Sequence, residues 1–96
     1  MDAQILIVDD MHDNVEAFES VLKTYIPELE IHTAANGGEA LEKAAEVLPD
    51  VVLLDVHMPE MDGFEVCRRL KTDEHTCNIP VLLVSAFMTH GHHRAL

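Results

Sequence analysis

The chain of 96 residues has room for one domain with a thin core, and its 48% apolar and 25% charged residues are those of an ordinary soluble globular protein. A formal charge of −12, from 18 acids against 6 Lys and Arg, argues against nucleic acid as a partner, and no basic stripe offsets the repulsion. No apolar run approaches the roughly 18 residues of a membrane span, and Met1-Asp2-Ala3-Gln4 lacks the basic flank of a secretory leader, so Cys67 and Cys77 are expected to be reduced thiols of a cytoplasmic chain.

Ile5 to Val8 is a short apolar run of β-favouring residues that ends abruptly at Asp9-Asp10, as a strand buried on both faces does. Val15, Phe18, Val21, Leu22 and Tyr25 then recur at helical spacing until Pro27. Leu29, Ile31 and Thr33 alternate with Glu30 and His32, which predicts a half-exposed edge strand. Asn36-Gly37-Gly38 reads as a turn, and Ala40, Leu41, Ala44, Ala45 and Leu48 as a second amphipathic helix stopped by Pro49. Val51 to Leu54 is a third short apolar strand, and it too ends on an acid, Asp55. The segment from His57 to Gly63 reads as a loop. Phe64, Cys67 and Leu70 give a third helical face, with Arg68, Arg69 and Lys71 turned to water. Val81 to Val84, introduced by Pro80, predicts a fourth strand ending at Ser85. Strands alternating with helices imply a parallel sheet covered on both faces. We expect one domain over residues 1–96.

Ligands of open parallel α/β sheets bind beyond the carboxyl ends of the strands. Asp9 and Asp10 stand at the end of the first strand, Asp55 at the third and Ser85 at the fourth. Like charges held close raise each other's pKa or demand a cation, and hard oxygen ligands suit Mg²⁺. A carboxylate beside Mg²⁺ can attack a phosphoryl donor and form an aspartyl-phosphate, with Ser85 placed to donate a hydrogen bond to the transferred group. The bland alternative is that each acid caps a helix that starts after its strand. Convergence of all of them on one rim favours the metal site.

The segments ILIVDD at 5–10, AANGGEALE at 34–42, PDVVLLDVHMPEMDGFEVCRRLK at 49–71 and IPVLLVSA at 79–86 resemble the receiver domains of bacterial response regulators. That resemblance implies a flavodoxin-like, doubly wound α/β sheet with strand order 2-1-3-4. It implies phosphorylation of Asp55 by a histidine kinase or a small phosphodonor. Asp10 would ligate Mg²⁺ directly and Asp9 mainly through water. The backbone carbonyl of His57 would be a further ligand, and Ser85 would hydrogen-bond the phosphoryl group. Met58, Pro59 and Gly63 would shape the loop after the acceptor.

The family pattern continues with a fourth helix, a fifth strand and a fifth helix. The fifth strand carries a lysine at the phosphoryl site, and the only lysines here are Lys23, Lys43 and Lys71. Phe87 and Tyr25 do not match the family's aromatic switch. The expectation is a receiver incomplete at its C-terminus, with the fifth strand and last helix absent. Strand 81–84 would then be an apolar edge inviting homo-oligomers. His90, His92 and His93 have the chemistry to bind Zn²⁺, Ni²⁺ or Cu²⁺, but Gly91 gives them no rigid geometry, and a frayed terminus is the simpler reading.

Three functions therefore compete: a phosphorylated receiver, a receiver-like binding or dimerisation module that works without phosphorylation, and an aspartate-nucleophile phosphatase. The enzyme is disfavoured. Val8-Asp9-Asp10-Met11 lacks the D-x-D spacing of dehalogenase-type phosphatases, and there is no Gly-rich phosphate loop or nucleophile elbow.

Overall fold

The computed structural model of the chain describes residues 2–85. Strands β1 (Gln4–Val8), β2 (Glu30–Ala34), β3 (Val51–Asp55) and β4 (Val81–Val84) alternate with helices α1 (His12–Tyr25), α2 (Gly37–Val47) and α3 (Gly63–Thr72). The strands form one parallel sheet in the order β2-β1-β3-β4, the flavodoxin-like arrangement expected, and no fifth strand occurs among the described residues.

The two-residue period of the strands divides the core. Leu6, Val8, Val52 and Leu54 face Ala40 and Ala44 of α2 and Val66 and Leu70 of α3. Ile5 and Ile7 turn to the other face, where Val15, Phe18 and Leu22 of α1 cover them. Leu6, Ile7, Leu54 and Leu70 are each at most 1% exposed; burial of such a side chain contributes roughly 1.5–3 kcal/mol. β1 is buried on both faces and β3 on one, with Val51 and Leu53 half-buried on the other, and both strands end where the chain leaves the core. That point is the rim carrying Asp9, Asp10 and Asp55.

Several local expectations need correction. Asn36-Gly37-Gly38 is the start of α2 and not a free turn: Asn36 Oδ1 accepts the Glu39 N–H at 2.8 Å, and Glu39 Oε1 accepts the Ala35 N–H at 2.7 Å. The pair forms a reciprocal cap. Leu48 lies beyond the helix, in a left-handed C-cap with φ 51°. Val21 and Tyr25 are 56% and 81% exposed, because the stripe Val15-Phe18-Leu22 meets the sheet and they lie beside it. Phe64 is 61% exposed; Val66 and Leu70 form the buried face of α3 in its place. His32 is half-buried, with Nε2 3.0 Å from Gln4 Oε1. The His90–His93 tail, Phe87 and Met88 lie outside the described residues.

All three lysines are tied to main-chain carbonyls near the sheet margins. Lys23 Nζ donates to Leu29 O at 2.7 Å, just before β2, and Lys43 Nζ to Thr33 O at 2.9 Å, within it. Lys71 Nζ donates to Ile79 O and Cys77 O, just before β4. Capping outward carbonyls in this way blunts a strand edge.

Candidate functional site

The site is assembled from strand ends. Asp9 continues the ladder past β1, its N–H donating to Ala34 O at 3.1 Å. Its side chain is 4% exposed and held at both oxygens: Oδ1 accepts the Met11 N–H at 2.8 Å and Oδ2 accepts Asn14 Nδ2 at 3.2 Å. Asp10 follows and is exposed. Asp55 closes β3 and is 5% exposed, with Oδ1 accepting the His57 N–H at 3.3 Å. The next residue, Val56, is fixed to β4 by its N–H on Val84 O at 2.8 Å.

Asp9, Asp10 and Asp55 each present a carboxylate oxygen, and these oxygens lie within 4.8 Å of one another. Two full charges at that spacing repel by about 3–4 kcal/mol at an effective dielectric of 20. Lys23, Lys43 and Lys71 donate to main-chain carbonyls, Lys43 beside the cleft that Asp9 and Asp10 also line. Helix capping does not account for the acids. The N-cap of α1 is Met11, with no side-chain cap, whereas α2 and α3 are capped by Asn36 and Asp62. Two buried carboxylates and one exposed carboxylate, open to water on one side, fit a small hard dication that keeps part of its hydration shell.

The remaining predicted site residues lie at the same rim. Asp55 is opposite Val84 in the β3–β4 register, so Ser85 follows one residue further along the neighbouring strand, half-buried. His57 opens a loop whose ends meet where Gly63 N–H donates to Val56 O at 2.9 Å. Met58, 8% exposed, anchors that loop in the core. Glu60 takes a left-handed φ of 70° within it. A cleft of about 270 Å³ also touches Asp9 and Asp10, but it opens toward β2 between His12, Glu19, Glu39 and Lys43 and does not include Asp55.

Asn14 and Asp62 were not singled out from the sequence. Asn14 orients Asp9, and its only signal is an amide five residues after an acid. Asp62 caps α3 by accepting the Glu65 N–H at 2.9 Å. Its Asp-x-x-Glu spacing is a capping signature at the end of a segment with the composition of a loop.

The profile of the response regulator receiver domain matches residues 5–95. The chain belongs to the response-regulator receiver family. It is 50% identical over 91 residues to the response regulator PleD of Caulobacter vibrioides, covering 95% of this chain but only 20% of that protein. It is 36% identical over 91 residues to the polar-differentiation response regulator DivK of Brucella anthropi, covering 95% of this chain and 72% of DivK. Among solved structures, the N-terminal domain of a response regulator receiver protein from Methanoculleus marisnigri is 42% identical, with a TM-score of 0.78 over 83% of this chain and 63% of that one. The receiver thus spans about a fifth of PleD. The family is a signalling domain of two-component systems.

Proposed function

We propose that this receiver accepts a phosphoryl group on Asp55 with the help of Mg²⁺ and signals through protein contacts. The observation that carries this reading is the meeting of three carboxylates within 4.8 Å at the strand ends. Asp10 and Asp55 would hold the cation directly with the His57 carbonyl, and Asp9 mainly through water. The cation would neutralise charge on the transferring group. A carboxylate oxygen of Asp55 forms the new P–O bond. The bond from phosphorus to the donor breaks, and the donor leaves with that electron pair. On a histidine kinase the leaving group is the imidazole nitrogen, which is neutral after transfer; on acetyl phosphate it is acetate. Ser85 donates its hydroxyl to a phosphoryl oxygen.

Intact-mass spectrometry with acetyl phosphate and Mg²⁺ tests the proposal. The wild type is expected to gain one phosphoryl group, and Asp55→Asn or excess chelator is expected to abolish the gain. An equal gain in Asp55→Asn would remove Asp55 from the role.

One observation favours a second reading, a binding module that works without phosphorylation. Lys23, Lys43 and Lys71 each donate to a main-chain carbonyl, so a contact from any of them to a phosphoryl oxygen would compete with that bond. No mass gain at saturating donor, with the fold intact, would favour that module. We further read residues 1–96 as one cytoplasmic receiver domain with no membrane or nucleic-acid partner and no catalytic turnover of its own. Among the described residues no helix is long and apolar enough to cross a membrane. The β4 margin, with Leu82 57% and Leu83 39% exposed, supports association with a second copy.

A further inference from the structure

A side chain at Gly63 would collide with main chain. Its Cβ would lie 2.4 Å from the Asp55 carbonyl oxygen, 2.8 Å from Val56 Cα and 3.0 Å from the Asp55 carbonyl carbon. Among the described residues no other glycine is placed this way. A Cβ at Gly37 meets only side chains, Met61 Sδ at 2.8 Å, Val66 Cγ2 at 2.9 Å and Met61 Cβ at 3.0 Å, and one at Gly38 meets only Asn36 Oδ1 at 3.5 Å. Nor does Gly63 serve a left-handed turn, since no described glycine has a positive φ. What the position requires is space.

The backbone that it abuts cannot yield cheaply. β3 is paired on both sides, with β1 and β4, and the Val56 N–H is bonded to Val84 O. An added Cβ must therefore move the start of α3 by at least 0.6 Å, the step from 2.4 Å to the 3.0 Å below which real Cβ contacts essentially never fall. The bond from Gly63 N–H to Val56 O closes the loop that carries His57, so this displacement is passed to both ends of the loop. Functional groups must be held within about 0.5 Å of their working geometry.

We propose that Gly63 is a positioning residue of the cation site: its bare Cα lets α3 close against Asp55 and Val56, and that contact sets the direction of the Asp55 carboxylate and of the His57 carbonyl. This rests on the reading of Asp9, Asp10 and Asp55 as a divalent-cation site.

The test is a titration with Mn²⁺, following the free ion by electron paramagnetic resonance, on wild type, Gly63→Ala and Leu70→Ala. Leu70→Ala disrupts the same helix on its buried face, away from the rim. Gly63→Ala is expected to bind Mn²⁺ at least about tenfold more weakly, the size of effect seen when the support of a metal ligand is lost. Leu70→Ala is expected to stay within about twofold of wild type despite a lower melting point. Wild-type affinity in folded Gly63→Ala, or an equal loss in both variants, would overturn the proposal. If wild type itself binds no Mn²⁺, the cation site fails and the proposal with it. A second measurement needs no variant. Coupling is reciprocal, so saturating Mg²⁺ is expected to slow hydrogen exchange of the Gly63 amide more than that of Leu6 in the core. Equal slowing at the two amides would also overturn it.

Discussion

At the scale of single residues, the site works through restraint. Asp9 has both oxygens occupied by donors from its own chain, which suits the proposed role of a ligand acting through water, with Asp10 and Asp55 as the direct ligands. Asn14 supplies one of those donors. Asn14→Ala is expected to weaken Mg²⁺ binding about tenfold by calorimetry, in line with losses of outer-shell partners; unchanged affinity would show that the Met11 N–H alone suffices. Glu65 offers a separate test by pH. Hydrogen bonds from Arg68 and Arg69 lower its pKa from 4.5 to about 2. A carboxylate lowered on folding stabilises the protein above its unfolded pKa, and that contribution disappears as pH falls from 4.5 toward 2. In Glu65→Gln the melting point is expected to fall less steeply across that window, and a slope equal to wild type would contradict the assignment.

At the scale of elements, β1, β3 and β4 were legible as short uninterrupted apolar runs and β2 by its alternation, and the rim acids because the first and third runs stop on them. The helix faces were less so. Val15, Phe18, Val21, Leu22 and Tyr25 fit more than one stripe at helical spacing, and only the sheet beneath selects Val15, Phe18 and Leu22. The same ambiguity placed Phe64 in the core, where Val66 belongs. The lysine contacts were not readable, because a carbonyl partner on another element leaves no mark in the sequence around the lysine. Two element ends give stability tests by thermal or urea unfolding. Leu48 sits exposed in a left-handed C-cap, so Leu48→Gly is expected to stabilise by about 0.5–1 kcal/mol; a loss would mean that its side chain contributes more than the strain costs. Thr76, 2% exposed, donates its hydroxyl to Leu70 O at 2.7 Å, beside the end of α3. Thr76→Val leaves that carbonyl unsatisfied and is expected to cost about 1–3 kcal/mol.

At the scale of the whole molecule, the two sheet margins differ. Lysines cover carbonyls at both margins, from α1 and α2 beside and within β2 and from α3 just before β4, but β4 itself carries exposed Leu82 and Leu83 on opposite faces. Association through β4 is therefore expected to appear in light scattering as a dimer that grows with concentration, and Leu82→Lys to suppress it; a wild type that stays monomeric at high concentration would contradict this. Locating the phosphoryl group tests the proposed role of Asp55 most directly. After treatment with Mg²⁺ and acetyl phosphate, borohydride reduces an aspartyl-phosphate to homoserine, which peptide sequencing by mass spectrometry can locate. Homoserine is expected at position 55 alone. Homoserine elsewhere, or none in a folded protein at saturating donor, would contradict Asp55 as the phosphoacceptor.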